Sequence, residues 1–196
     1  TGDGRARVFR LAIVVVALCA LAGGLWQARS FYHDDAYIAL RYSQRLLAGD
    51  GLTWTDGERV EGYTSPLWVL LSAGLGGVGV PLETASRLLG LIALGGLVAF
   101  VFRVAGPLAL LIVAAHPGLV IWSLGGLETA GFTLCLTIAS WLVCRELDQH
   151  ESNSAWFAGC LFAASGLLRP EGFVAGVLGS ILLWRAHPAR ALSVLT

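Results

Sequence analysis

The chain alternates long apolar runs with short polar turns. Val8–Ala28, Ala85–Phe102, Pro107–Ser123, Thr129–Leu142, Ala155–Leu168 and Phe173–Trp184 are almost free of charge. A helix needs roughly 20 residues to cross about 30 Å of hydrocarbon. The first three runs reach that length with modest extension. The last three must borrow flanking residues or sit where the bilayer thins. Two further segments read differently. Ala36–Ala48 carries Tyr37, Leu40 and Leu47 on one side, joined by Ile38, Tyr42 and Leu46, with Arg41 and Arg45 on the other. This spacing predicts an amphipathic helix lying at a membrane surface. Asp34 or Asp35 is placed to cap its start and Gly49 to end it. Pro66–Val80 is apolar but short, and holds Gly74, Gly76, Gly77 and Gly79.

Composition makes the membrane reading firm. Hydrophobic residues are 56% of the 196, charged residues 13%, and mean hydropathy is +0.73. A soluble domain is normally about 25% charged. The expected fold is therefore an all-α, polytopic integral membrane helix bundle. Thirteen basic residues balance thirteen acidic ones, so bulk charge points to no nucleic-acid partner. Cys19, Cys135, Cys144 and Cys160 fall in or beside apolar runs and read as small buried hydrophobes. Val8–Ala28 has the basic flank of a signal peptide but is longer than a usual apolar core, and more spans follow it. It reads as a retained first span. The chain is expected to be part of something longer.

Charge orients the spans. Arg5, Arg7 and Arg10 precede the first one, which places the N-terminus in the cytoplasm. The following segment is then outside. It holds Asp34, Asp35, Asp50, Asp56, Glu58 and Glu61 against four Arg. If Pro66–Val80 crossed, the later acidic turns and basic loops would alternate badly. If it is interfacial or re-entrant, Arg103, Arg145 with His150, and Arg185 with Arg190 all become cytoplasmic, and Glu128 and Glu171 face out. The second reading gives about six spans. Residues 1–28 form the cytoplasmic flank and first span, 29–83 an extracytoplasmic loop with interfacial helices at 36–48 and 66–80, and 84–196 a five-span bundle.

Asp34 and Asp35 are the first candidates for chemistry. Capping explains one carboxylate and leaves the other over. A like-charged pair above a bilayer is costly unless a cation or an acceptor hydroxyl uses it. His116-Pro117 reads as a kink, with the imidazole bonding across the bundle. Arg169-Pro170-Glu171 reads either as a plain helix boundary or as a substrate contact, and Glu128-Thr129 likewise.

The run YHDDAYIALRYSQRLLAGDGLTWTDGERVEGYTSPLWVLL, residues 32–71, resembles the first outer loop of the GT-C membrane glycosyltransferases, in the arabinofuranosyltransferase and mannosyltransferase-like branch. SLGGLETAGF at 123–132 and GLLRPEGF at 166–173 are similar to later outer turns of that family, in the same order. The resemblance implies a GT-C bundle that transfers a sugar from a polyprenyl-phosphate donor to an envelope glycan, lipid or protein. The active face would be extracytoplasmic, on the plasma (inner) membrane. It implies Asp34 as general base and Asp35 as a second catalytic carboxylate or a ligand for a divalent cation, Mg or Mn. Arg41, Glu61, Tyr63, Glu128, Arg169 and Glu171 become candidate substrate-binding residues. Family members are several hundred residues longer, so a missing C-terminal half or a partner subunit is expected to complete the donor cavity. Two rivals remain: a non-catalytic scaffold or subunit derived from such a transferase, and a transporter. Transporters place ionisable residues near the midplane, whereas the acidic residues here gather at one edge.

Overall fold

A computed structural model of the chain describes residues 2–57, 60–149 and 154–186. Glu58, His150 and Arg190, used above to orient the chain, lie outside the described residues. The fold is an all-α bundle: α1 (Gly2–Ala28), α2 (Ala36–Ala48), α3 (Pro66–Gly77), α4 (Leu82–Ala114), α5 (Pro117–Leu124), α6 (Thr129–Gln149), α7 (Ser154–Leu168) and α8 (Glu171–Ala186). Among the described residues three helices are long and apolar enough to cross a membrane, within Gly4–Ala28, Leu82–Ala114 and Thr129–Asp148. Their surfaces are oily. Val8, Leu11, Trp26, Ile92, Ile112, Val174 and Trp184 are each more than half exposed. Apolar surface of that extent belongs in lipid, and the protein is a multi-pass membrane protein.

The end of each helix has a local cause. α2 stops at Gly49, whose φ of 88° lets its N–H turn back onto the carbonyls of Arg45 and Leu46. α3 begins with Pro66 at its first position and ends before Gly79, at φ 91°. Its 12 residues rise only about 18 Å. Within α4, Gly106 takes φ 81° and ψ −171°, and Pro107 follows. The chain doubles back there. Gly90 lies so close to the backbone of Ser123, on the returning limb, that a side-chain carbon at 90 would collide with its carbonyl. The returning limb is broken again at His116. The imidazole does not bond across the bundle. Its Nδ1 accepts from the Leu119 N–H at 3.1 Å and caps α5, because Pro117 supplies no N–H and the next orphan donors of the new helix point at it.

Three apolar clusters hold the bundle. Ala139, Val143, Ala155, Ala158, Phe162 and Leu183 join α6, α7 and α8. Ala17, Leu110 and Ala114 seat α1 against the returning limb of α4. Ala39, Tyr42, Trp68, Val69 and Leu168 dock α2 and α3 onto the bundle. Small residues at these contacts let helices approach closely without a hydrophobic force between them. The cysteines depart from the sequence expectation. Cys19, Cys144 and Cys160 are exposed on helix surfaces, and only Cys135 is partly buried. A thiol is apolar enough to face lipid, so location in an apolar run did not require burial.

Candidate active site

One end of the bundle gathers the polar residues. The loop after α1 is strapped down there from two sides. Arg87 in α4 donates from Nη1 to the Arg29 carbonyl (2.8 Å) and from Nη2 to the Phe31 carbonyl (3.0 Å), with its guanidinium over the Tyr32 ring. The Tyr32 hydroxyl shares a 2.9 Å hydrogen bond with Ser86. Burial is the main cause that pushes the Tyr32 hydroxyl pKa up, against the Ser86 bond, which lowers it. From the other side, the His33 N–H donates to the Gly125 carbonyl at 3.0 Å, and Phe31 and His33 pack on Trp122. Gly126 is required here. It has φ 84°, and any Cβ would lie 2.5 Å from the Tyr32 ring. Its carbonyl accepts from the buried indole of Trp68 at 2.9 Å.

The strap presents His33, Asp34 and Asp35 at the start of α2. Asp35 occupies the N-cap position, yet its side chain makes no capping bond. The Asp34 carboxylate accepts only the next N–H, from Asp35, at 3.0 Å. The two carboxylates are largely exposed, at 91% and 67%. Helix capping therefore accounts for neither side chain, and both are open to a ligand. His33 Nδ1 sits 3.2 Å from Asp34 Oδ1 and 3.6 Å from Asp35 Oδ2. One ligand atom from each of the three residues lies within 4.8 Å of the others. The Asp35 N–H donates to both His33 Nδ1 (3.2 Å) and Asp34 Oδ1 (3.0 Å), and the remaining carboxylate oxygens, which only accept, stay open to a proton or a cation. The cluster could hold a divalent cation. Two oxygens and one imidazole suit Mn more than Mg, which prefers an all-oxygen shell.

Beside this cluster lies a cavity of about 310 Å³ lined by Asp35, Ile38, Tyr63, Ser65, Glu128 and Arg169, among others. Glu128, 9% exposed, accepts from Arg169 Nε at 2.7 Å. Arg169 Nη2 also donates to Thr129 Oγ1 at 3.2 Å. The guanidinium keeps N–H donors for a further anion, though Glu128 already offsets its charge. Tyr63 is held by ring contact with Tyr42 at 4.6 Å. Its hydroxyl pKa is raised, chiefly by burial and then by the charge of nearby Glu61. The Tyr42 hydroxyl donates to the Val60 carbonyl (2.7 Å) and accepts from the Gly62 N–H (2.9 Å), which shapes this loop.

The candidates named from sequence thus separate. Asp35, Tyr63, Glu128 and Arg169 share one cavity, with Asp34 at its edge through Asp35. Glu61 stands next to it. Glu171 sits in the exposed first turn of α8 and lines no cavity described here. Arg41 lies on the other flank of α2. Sequence reading missed Arg87 and Trp122. Arg87 carried a signal, since a charge early in a membrane helix needs a partner to offset its cost. Trp122 carried none.

The chain is 31% identical over 192 residues to a terminal β-(1→2)-arabinofuranosyltransferase of Mycobacterium tuberculosis, a match covering 86% of this chain and 30% of that protein. It is 39% identical over 61 residues to the enzyme of the same description from Corynebacterium glutamicum, covering 29% of this chain and 9% of the relative. The chain spans less than a third of the length of these curated relatives. No protein-family model and no solved structure matches it. The chain is thus distantly similar to arabinofuranosyltransferases over part of their length.

Proposed function

We propose that the chain carries the catalytic edge of a GT-C glycosyltransferase that moves a sugar from a polyprenyl-phosphate donor to an acceptor on the outer face of the plasma membrane. The observation that carries this reading is the Asp34–Asp35 pair, exposed, uncapped and strapped beside an Arg169-lined cavity. The arabinofuranosyl name of the relatives makes a furanosyl donor the first to try.

The chemistry balances with these groups. Asp34 accepts the proton of the acceptor hydroxyl. The oxygen attacks the anomeric carbon, the bond from that carbon to the phosphate oxygen breaks, and polyprenyl phosphate leaves. Phosphate needs little acid assistance but gains from a donor fork, which the remaining Arg169 nitrogens supply. A divalent cation would be held by Asp35 with His33 and would supply positive charge to the site, leaving Asp34 an oxygen free for the proton. The strap of Arg87, Ser86 and Gly125 holds the base in place, and position within about 3 Å is what general-base catalysis demands.

The six-span reading is part of the proposal. Ser86 and Arg87, just inside α4, touch Tyr32, Arg29 and Phe31, just past α1. These contacts support a segment that leaves and returns on one side, with α3 at the interface. The turn at Gly106 then divides α4 into two spans, the second completed by α5, and α6, α7 and α8 make the rest. Single-cysteine labelling in a background without native Cys should mark position 127, half-buried in the same turn, from outside and position 148 only after permeabilisation.

The direct test follows label from a polyprenyl-phosphate furanose into an envelope glycan, using the longest natural form of the chain with any partner subunit. Transfer supports the reading. Absence of transfer with every lipid-linked sugar tried would leave the scaffold reading in its place.

A further inference from the structure

The candidate site uses one flank of α2. Residues 35, 38 and 39 line its cavity, whereas 37, 40, 41 and 44 line a second cavity of about 600 Å³ on the opposite flank. The two cavities share no lining residue. The second is bounded by α2, the Trp54 loop and the start of α4, and offers Tyr37, Arg41, Gln44, Trp54, Glu83 and Thr84. Its volume falls in the range of about 300–1,000 Å³ usual for ligand sites.

The lining has a particular chemistry. Trp54 and Tyr37 are 41% and 50% exposed, so two aromatic faces meet solvent at a polar rim. Glu83 only accepts hydrogen bonds, Arg41 only donates, and Gln44 does both. Arg41 is fixed by its own bonds, from Nε to the Trp54 carbonyl and from Nη1 to Gln44 Oε1, each 3.2 Å. The Tyr37 hydroxyl bonds to Glu83, the first cause of its raised pKa. A sugar ring presents a C–H face that stacks on aromatics and a rim of hydroxyls that both donate and accept. A phosphate would be repelled by Glu83 and is better served by Arg169. Lipid tails would leave Arg41, Gln44 and Glu83 unused.

We propose that this cleft is the acceptor-side glycan subsite, which seats neutral sugar units of the acceptor while their terminal hydroxyl reaches Asp34. The path is short. The Tyr37 N–H donates to the Asp34 carbonyl at 3.0 Å, so the cleft begins one helical turn from the base. The inference rests on the transferase reading and explains how donor and acceptor approach one carboxylate from opposite flanks of a single helix.

Binding tests it without turnover. The full chain in lipid nanodiscs is titrated with a neutral arabinofuranosyl oligosaccharide and, separately, with polyprenyl phosphate. Trp54→Ala and Glu83→Gln are each expected to weaken oligosaccharide binding by about tenfold or more, with Trp54→Phe retaining most of it and polyprenyl-phosphate affinity unchanged. Glu83 is exposed, so Glu83→Gln decides the matter if Trp54→Ala folds poorly. No oligosaccharide binding by the wild type, an unchanged Kd in Glu83→Gln, or a parallel loss of polyprenyl-phosphate binding overturns the subsite. Oligosaccharide binding that depends on these residues, in a chain that transfers nothing, would overturn the transferase reading and the acceptor role with it, and leave the cleft as a sugar-binding site alone.

Discussion

Two acidic centres stand a short distance apart at one end of this bundle, and they are held in opposite ways. Asp34 and Asp35 are exposed, accept almost no hydrogen bonds and use none of their capping ability. Glu128 is buried and bound to Arg169 at 2.7 Å. A carboxylate already satisfied by a guanidinium has little to gain from a proton, and separating the pair strands a charge. A carboxylate in open solvent beside an imidazole is free to take a proton or ligate a cation. The comparison divides the work: the exposed pair suits chemistry, and the buried pair suits shaping the cavity and aiming Arg169.

The largest effect expected from this division is at Asp34. Asp34→Asn keeps the shape and should leave thermal stability unchanged, while transfer falls by about 10²–10⁴, the usual contribution of a general base. Full turnover in that variant would break the contrast at its first term. Next comes Glu128→Gln. It removes the charge that answers Arg169 but keeps an acceptor for its Nε, and is expected to lower stability by about 1–2 kcal/mol, the difference between a charge-assisted and a neutral hydrogen bond, read as a fall in the melting temperature in detergent. A variant as stable as wild type would show that the pair is not structural.

A smaller effect is expected at Arg169→Lys. It keeps the charge but loses the planar fork, so the Kd for polyprenyl phosphate should rise by about tenfold. An unchanged Kd returns Arg169 to the role of a helix-boundary residue. The smallest is at Asp35. Asp35→Asn should reduce transfer only by about severalfold and shift the Mn concentration needed for half-maximal rate, with no loss of donor binding. If chelation of divalent ions changes neither the wild-type nor the Asp35→Asn rate, the cluster acts without a cation.

Much of the framework was legible from local pattern alone. Long uncharged runs mark membrane helices because lipid cannot solvate charge or open backbone. The apolar stripe of Ala36–Ala48 with Gly49 after it marks α2, since a left-handed stop favours glycine. The acidic pair was visible as more carboxylate than a cap requires. The turn at Gly106-Pro107 also falls between two apolar runs that the sequence already separates.

Other features depend on atoms distant along the chain, and no local pattern encodes them. The sequence places Glu128 and Arg169 as separate helix starts. Only the approach of the turn before α6 to that before α8 makes them one ion pair. It offers Arg41 and Arg169 as equivalent cations, but the burial of Ala39 and Tyr42 fixes the rotation of α2 and sends Arg41 to the opposite flank. His116 caps its own helix instead of reaching across the bundle, because the chain breaks on both sides of it and leaves donors at hand. Arg87 becomes the clamp on the loop that carries Asp34 and Asp35 only because α4 begins beside the end of α1. Hydrophobic periodicity and turn residues act within a few residues of themselves, so the sequence by itself determines which segments are helices and where they stop. The rotation of each helix and the partner of each charge come from packing between segments, and those only the tertiary structure decides.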